Sequence, residues 1–281
     1  MIVTLSKQKS RVTEILVFVI SSFFLLVTLF PYMYLVLSSL KPPNEVISTN
    51  PSLLPSVFTL ANYNALFHQL AIGKYFVNSL ITAMSGTLLS VFLGSLAAYG
   101  LTRFASKLGN LFLLFTLGVR MTPLISVAIP MYRIIGQLGL MDTKLALVLV
   151  YTSINIPFVI WMMIGFFDNL PKELDESARV DGCGMFGTFM RIILPISLPG
   201  IATTSIFSFM LSWNDFLFAL LLTSTSAKTV PVGISEFLTA YGLDLGPMTA
   251  AATIFSVPVM LFSFVMQKYI VRGMTMGAVK E

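Results

Sequence analysis

Six stretches of this chain are apolar enough, for long enough, to cross a bilayer as helices. They lie near Val12–Leu37, Tyr75–Leu101, Leu108–Ile134, Leu145–Phe167, Ile196–Leu222 and Thr249–Ile270. A hydrocarbon core about 30 Å thick needs about 20 such residues. Lipid offers no partner to a free N–H or C=O, so the backbone must bond within each span, which makes the spans helices. The composition agrees. Of 281 residues, 56% are apolar and only 10% are Asp, Glu, Lys or Arg, against about 25% charged in an ordinary soluble domain. A soluble enzyme with a charged surface, a disordered chain, a collagen and a nucleic-acid-binding domain are all excluded for the bulk of the sequence. The expected fold class is an all-α polytopic membrane protein with six transmembrane helices.

The first run follows Lys7, Lys9 and Arg11, as the apolar core of a signal peptide would. It is about twice the 7–15 residues of such a core, and no Ala-x-Ala site follows. It reads as a retained span. Orientation follows from the Lys and Arg count. With the N-terminus inside, the inside segments hold eleven of the seventeen, and the outside loops hold only Lys41, Lys74, Lys144 and Lys228. That bias places both termini in the cytoplasm. The net charge of +5 is thus the mark of basic cytoplasmic loops. A single cysteine, Cys183, excludes an internal disulfide. A single histidine, His68, has no companions for a zinc set.

The spans are not uniform. Pro123, Pro130, Pro157 and Pro258 lie within them, and small or hydroxylic residues recur over Ser79–Ser90 and Ala202–Ser208. Such residues serve close helix packing, or a bundle whose helices rearrange. Arg120 falls near the middle of the third span. An unpaired charge there costs at least about 2.5 kcal/mol, and Asp215 is a candidate partner. Tyr151 and Asn155 in the fourth span, with Trp213, Asn214 and Asp215 in the fifth, offer a flat ring face and hydrogen-bonding groups at membrane depth. They suit interhelical hydrogen bonds or a polar substrate.

The most informative segment is the cytoplasmic loop from Asn169 to Gly200. Pro171 suits a first helical turn, and Glu173, Asp175 and Glu176 place negative charge at the helix N-terminus. Gly182 or Gly184 can end that helix in a left-handed conformation. Phe186, Phe189, Met190 and Ile193 recur at i, i+3, i+4 and i+7, the stripe of a second short helix, which Pro195 ends. A helix–turn–helix with an exposed apolar stripe is expected, either as an interfacial cap or as a docking knob for a cytoplasmic partner.

This loop resembles the EAA loop of binding-protein-dependent ABC importer permeases. Glu176-Ser177-Ala178, then Asp181-Gly182, then Ile192-x-Leu194-Pro195 follow that pattern, with Ser177 in place of its alanine. Carbohydrate-importer permeases of the maltose type, second subunit, are similar over the rest of the chain. The matching motifs are Phe58-Thr59-Leu60-x-Asn62-Tyr63, Asn78-Ser79, Leu138-Gly139-Leu140-x-Asp142-Thr143, Pro171-Lys172-Glu173-Leu174, Ser212-Trp213-Asn214-Asp215-Phe216, and the tail from Val271 to Lys280.

The resemblance implies a type I ABC importer permease fold with coupling helices between spans four and five. It divides a single membrane domain, 1–281, into a first span 12–37, a five-span core 75–270, a coupling loop 171–194 and a cytoplasmic tail 271–281. It implies a second permease subunit, two ATPase subunits, an external sugar-binding protein and a bacterial inner-membrane location. Glu176, Ser177, Ala178, Asp181, Gly182 and Phe186 would meet the ATPase. Tyr151, Asn155, Trp213, Asn214 and Asp215 would line the path of a sugar. The loop Thr223–Pro247 resembles the segment that reaches the binding protein. No G-x-x-x-x-G-K-[ST] phosphate cradle is present, and the only Gly-Lys, Gly73-Lys74, is followed by Tyr75. The chain is therefore expected to hold no cofactor, with ATP and Mg on the partner ATPase. An ion-coupled transporter acting alone is the alternative. It would carry ionisable relays in several spans or inverted repeats, and here Arg120 and Asp215 are the only charged residues away from the span ends.

Overall fold

A computed structural model describes residues 11–48, 50, 52–69, 71–104, 107–237 and 244–278. Among them there is no strand. The helices are α1 (Arg11–Ser39), α2 (Pro43–Val46), α3 (Ala61–Gln69), α4 (Ile72–Phe104), α5 (Lys107–Met121), α6 (Leu124–Gln137), α7 (Lys144–Phe167), α8 (Glu173–Val180), α9 (Met185–Thr188), α10 (Leu194–Ile196), α11 (Leu198–Trp213), α12 (Leu217–Leu222), α13 (Val230–Glu236) and α14 (Leu245–Ala278), with a wide π-type turn at Phe189–Ile193. Among the described residues four helices are long and apolar enough to cross a membrane, and six spans result if each of two bent pairs counts as one.

Two of the expected spans are not continuous. The third, expected over Leu108–Ile134, breaks into Leu111–Met121 and Leu124–Gln137, which meet at 97°. Pro123 is the cause: its ring drives the preceding residue out of the helical region and it has no N–H to donate. The fifth, expected over Ile196–Leu222, ends at Trp213. Asn214 and Asp215 form a break before the short α12, rather than lying inside a helix. At its other end Ser197 marks an 83° bend between Met185–Ile196 and Leu198–Trp213. The sixth span is longer than expected, since α14 begins at Leu245. Pro31, Pro130, Pro157 and Pro258 remain inside helices.

The chain forms two compact units, Met1–Gln69 with Phe237–Ile254, and Leu70–Glu236 with Phe255–Glu281. In the first, Asn62 of α3 is fully buried. Its Nδ2 donates to the carbonyls of Ser39 (2.9 Å) and Lys41 (2.8 Å), tying the end of α1 to α3. Glu45 accepts from Ser52 and Ser56 and closes the loop between them. The most apolar window of α1 buries none of its residues within the chain.

In the second unit α4 and α7 lie side by side. A Cβ added at Gly86 would stand 2.9 Å from Tyr151 Cβ, and one at Gly94 would stand 2.6 Å from Val159 Cγ1. Small residues at these two points let the backbones approach, as membrane helices require when lipid removes the hydrophobic drive between them. Gly200 of α11 likewise faces the Phe166 ring. Val91, Ala98 and Tyr99 of α4 pack with Val159, Ile160, Met163 and Phe167 of α7 and with Phe189 and Ile193 of the loop beyond. A second cluster joins Leu147, Val150 and Tyr151 to Phe218 and Leu222 of α12.

Candidate functional site

The loop after α7 is folded and anchored. α8 ends as its sequence predicts. Gly182 takes φ +80, its N–H donates to Arg179 O (3.0 Å), and Cys183 N–H donates to Ala178 O (2.9 Å). This pair of bonds is the Schellman stop, which satisfies carbonyls that the helix would otherwise leave open. Asp175 does more than its expected helix-dipole role, because its side chain turns inward. Tyr99 Oη donates to Oδ1, and Arg103 Nε stands 2.8 Å from Oδ2. That approach is off the line of a hydrogen bond, so it is a close ion pair. Arg103 also donates to Leu170 O at 3.2 Å. Both charged side chains are nearly buried, at 5% and 10% exposure. The Tyr99 ring packs against Phe189 (5.3 Å) and edge-on to Phe167 (6.1 Å).

The expected exposed stripe therefore splits. Phe189 and Ile193 are fully buried, whereas Phe186 and Met190 remain in the open. Of the residues expected to meet the ATPase, Glu176, Ser177, Asp181, Gly182 and Phe186 are exposed, and Ala178 is buried at 1%. Val180 (87% exposed) and Met185 (54%) join them at the tip. Sequence reasoning passed over Tyr99, Arg103 and the inward role of Asp175. The available signal was a basic residue in the last turn of a span and three acids in the next folded loop.

A small cleft of about 60 Å³ lies among α5, α7, α11 and α12. Arg120, Tyr151, Asn155, Ser212 and Asp215 give it polar lining. The structure thus brings together Tyr151, Asn155 and Asp215 from the expected path, and Arg120 with them. Arg120 stacks over the Phe158 ring at 5.2 Å, a cation–π contact. It forms no ion pair with Asp215 among the described residues. Asp215 instead accepts from Tyr151 Oη (3.1 Å) and from Ala219 N (3.0 Å), which caps α12. Asn155 donates to Ser212 Oγ (2.8 Å) and Ser208 O (3.3 Å), so it also binds α7 to α11.

Trp213 and Asn214 lie apart from the cleft. The Trp213 indole is buried between Phe209 (5.4 Å) and Phe255 (4.9 Å), stacked on both, with Phe76 at its edge. Its Nε1 donates to Phe255 O at 3.2 Å. Neither ring face is open to a ligand. Asn214 is exposed and bonds back to Met210 O (2.8 Å).

The turn between α6 and α7 holds the loop after α12. Asp142 sits at φ +57, a left-handed position that Asp tolerates. Its carboxylate accepts from the backbone N–H groups of Ser224 (2.9 Å), Thr225 (3.1 Å), Ser226 (2.9 Å) and Ala227 (3.2 Å), and from Thr225 Oγ1 (3.0 Å). Partial burial opposes its charge, but these N–H groups outweigh it and hold the carboxyl far below the usual carboxylate range. The sign follows. The stabilisation is complete above the unfolded pKa of about 4 and is lost only as pH falls through the much lower folded value. Asp142→Ala removes charge-assisted bonds that contribute about 1.5–3 kcal/mol. Tryptic cleavage after Lys228 in proteoliposomes is expected to speed up about tenfold, at neutral pH and near pH 5 alike. An unchanged cleavage rate would show that the loop holds without this staple. Of the loop Thr223–Pro247, residues 238–243 lie outside the described residues, as do 279–281 of the tail.

The model of a family described as binding-protein-dependent transport system inner membrane component matches residues 90–276. The chain is 36% identical over 276 residues to a probable ABC transporter permease protein, YurM, of Bacillus subtilis (strain 168), covering 98% of this chain and 91% of that one. It is 36% identical over 259 residues to the trehalose/maltose transport system permease protein MalG of Thermococcus litoralis, covering 91% and 92%. In fold it is similar to a chain of a bacterial ABC transporter involved in import of the acidic polysaccharide alginate, with a TM-score of 0.75, 20% identity, and 95% and 100% of the two chains covered.

Proposed function

The chain belongs to the family of inner membrane components of binding-protein-dependent transport systems, and from that premise we propose that it moves a neutral mono- or oligosaccharide inward as one of two permease subunits. It is a multi-pass ABC permease of the inner membrane. ATP and Mg belong, in this reading, to two ATPase subunits on the cytoplasmic face. An external sugar-binding protein delivers the substrate, and both termini lie in the cytoplasm.

One observation carries the reading: a folded loop whose inner side is part of the core and whose tip is bare. Phe189, Ile193, Ala178 and Asp175 are buried, while Glu176, Val180, Asp181, Met185 and Phe186 are open. A loop built only to connect two spans has no need of an ion pair and a capped helix. A rigid element with an acidic and apolar tip suits a groove in a second protein, and it can pass that protein's motion to the spans. Tyr151, Asn155 and Asp215 stand where α11 breaks, and with Arg120 they present balanced positive and negative groups to a polyol. The names of relatives support a sugar as cargo; the trehalose/maltose permease is the example given above.

The test is uptake of labelled trehalose, maltose and other mono- and oligosaccharides into cells that express the full system. At least one is expected to accumulate, with transport persisting when a protonophore collapses the ion gradient and stopping when ATP is depleted. Uptake that dies with the gradient and survives ATPase inhibition would establish the ion-coupled alternative instead.

A further inference from the structure

The coupling loop, read above as the docking knob, and the loop after α12, which resembles the segment that reaches a binding protein, are fastened to the same helix. At the start of α4, Lys74 Nζ donates to Thr225 O (3.3 Å) and Asn78 Nδ2 donates to Ser226 O and Lys228 O (2.9 Å each). Ser79 Oγ accepts from Val230 N at 2.9 Å. Asn78 and Ser79 are each only 2% exposed. These bonds hold the loop after α12. At the far end of α4, Tyr99 and Arg103 hold Asp175 of the coupling loop.

The helix between these ends is unlike its neighbours. It runs 33 residues without proline or break, roughly 50 Å at 1.5 Å per residue. Among the described spans, α1, α7 and α14 each contain a proline. The third and fifth spans are bent by 97° and 83°. Proline, breaks and Gly/Ser pairs are where helices flex, and the two such pairs of α4, Ser85-Gly86 and Gly94-Ser95, are braced against Tyr151 and Val159. The glycine contacts at Gly86 and Gly94 seat α4 directly on α7, which leaves it little room to slide.

We propose that α4 is a rigid strut joining the outer loop to the coupling loop, with Asn78 and Ser79 attaching one end and Tyr99 and Arg103, through Asp175, attaching the other. The proposal rests on the permease reading. It names these as positioning residues, not as contacts with sugar or nucleotide. Coupling between distant sites needs an element whose position both sites bias, and a stiff helix bonded to each is such an element. The buried ion pair suits the inner end because it cannot slip: moving either partner strands a charge in the protein interior. The outer end uses main-chain carbonyls and one main-chain N–H, which hold the loop wherever its side chains vary.

The experiment uses the whole complex in proteoliposomes, with its ATPase and its binding protein. The probe is the panel sugar that wild-type cells take up. ATP hydrolysis is measured with and without sugar-loaded binding protein, and transport is measured per ATP. Asp175→Asn, and separately the pair Asn78→Ala with Ser79→Ala, are expected to cut the stimulation about 5- to 150-fold, the usual span of a coupling between sites. Combining both ends is expected to be no worse than either alone, since a strut loosened at one end loses nothing more when the other is loosened. The exchanged pair Arg103→Asp with Asp175→Arg is expected to recover part of the stimulation. Losses that multiply, or a complex that fails to assemble in every variant including the exchanged pair, would mean two unrelated structural defects and overturn the strut. Full stimulation in the variants overturns it too. If the wild-type complex itself shows no stimulation by any sugar-loaded binding protein, the permease reading fails first and the strut falls with it.

Discussion

Gly182→Pro is expected to abolish uptake while leaving the protein in the membrane. The glycine stands at φ +80, and proline is confined near −65°. The substitution also deletes the N–H that reaches Arg179 O at 3.0 Å, and the ring disfavours the near-helical conformation of Asp181 just before it. Together these cost about 3 kcal/mol or more locally. The damage is confined, because Gly182 is exposed and an added side chain there meets nothing within 4 Å. The core at Phe189, Ile193 and Ala178 is untouched. What changes is the angle at which the tip leaves the membrane. A misdirection worth only about 1.4 kcal/mol already lowers a binding constant tenfold, so uptake should fall at least that far. Gly182→Ala keeps the N–H and should lose less. Immunoblots of membrane fractions, beside uptake rates, decide the matter. Normal transport in the proline variant would show that the tip does not need its present angle.

Gly94→Ala is expected to destabilise the fold by forcing α4 off α7. The new Cβ would lie 2.6 Å from Val159 Cγ1 and 2.7 Å from Val159 Cβ. Val159 is β-branched and fully buried, so it cannot swing aside. α4 and α7 must separate, and overpacking of this kind costs about 1–3 kcal/mol. Thermal unfolding of the purified protein in detergent should show a lowered midpoint. Val159→Ala should not rescue it, because the clashing Cβ remains, whereas Val159→Gly should restore part of the loss. Rescue by Val159→Ala, or a midpoint unchanged by Gly94→Ala, would mean that the helices are less tightly seated than their geometry indicates.

Much of this architecture was legible because lipid imposes one rule on every span. Length and apolarity alone marked six segments, and Gly182 or Gly184 was expected to end α8 by the same logic that governs soluble helices, a role Gly182 takes. The break after Met121 was not visible, because average hydropathy treats Pro123 as one more tolerable residue. Only the packing decides whether such a proline kinks a helix or severs it. The setting of Trp213 was hidden for a related reason. Its ring could have faced a cavity, but Phe76, Phe209 and Phe255 arrive from separate segments to enclose it, and nothing local to Trp213 announces them. Asp175 shows the limit most sharply. Its neighbours Glu173 and Glu176 do what surface acids near a helix start do. Its own partners sit on another span, and no spacing rule pairs a carboxylate with a tyrosine and an arginine so distant along the chain.

The bare flank of α1 carries a consequence for how this protein can change over time. An apolar window that adds nothing to the interior answers only to its surroundings, the hydrocarbon tails or whatever neighbour it meets there. Its leucines and phenylalanines can drift among equivalents with little penalty to the rest of the bundle. α7, half of whose apolar window is enclosed, has no such licence.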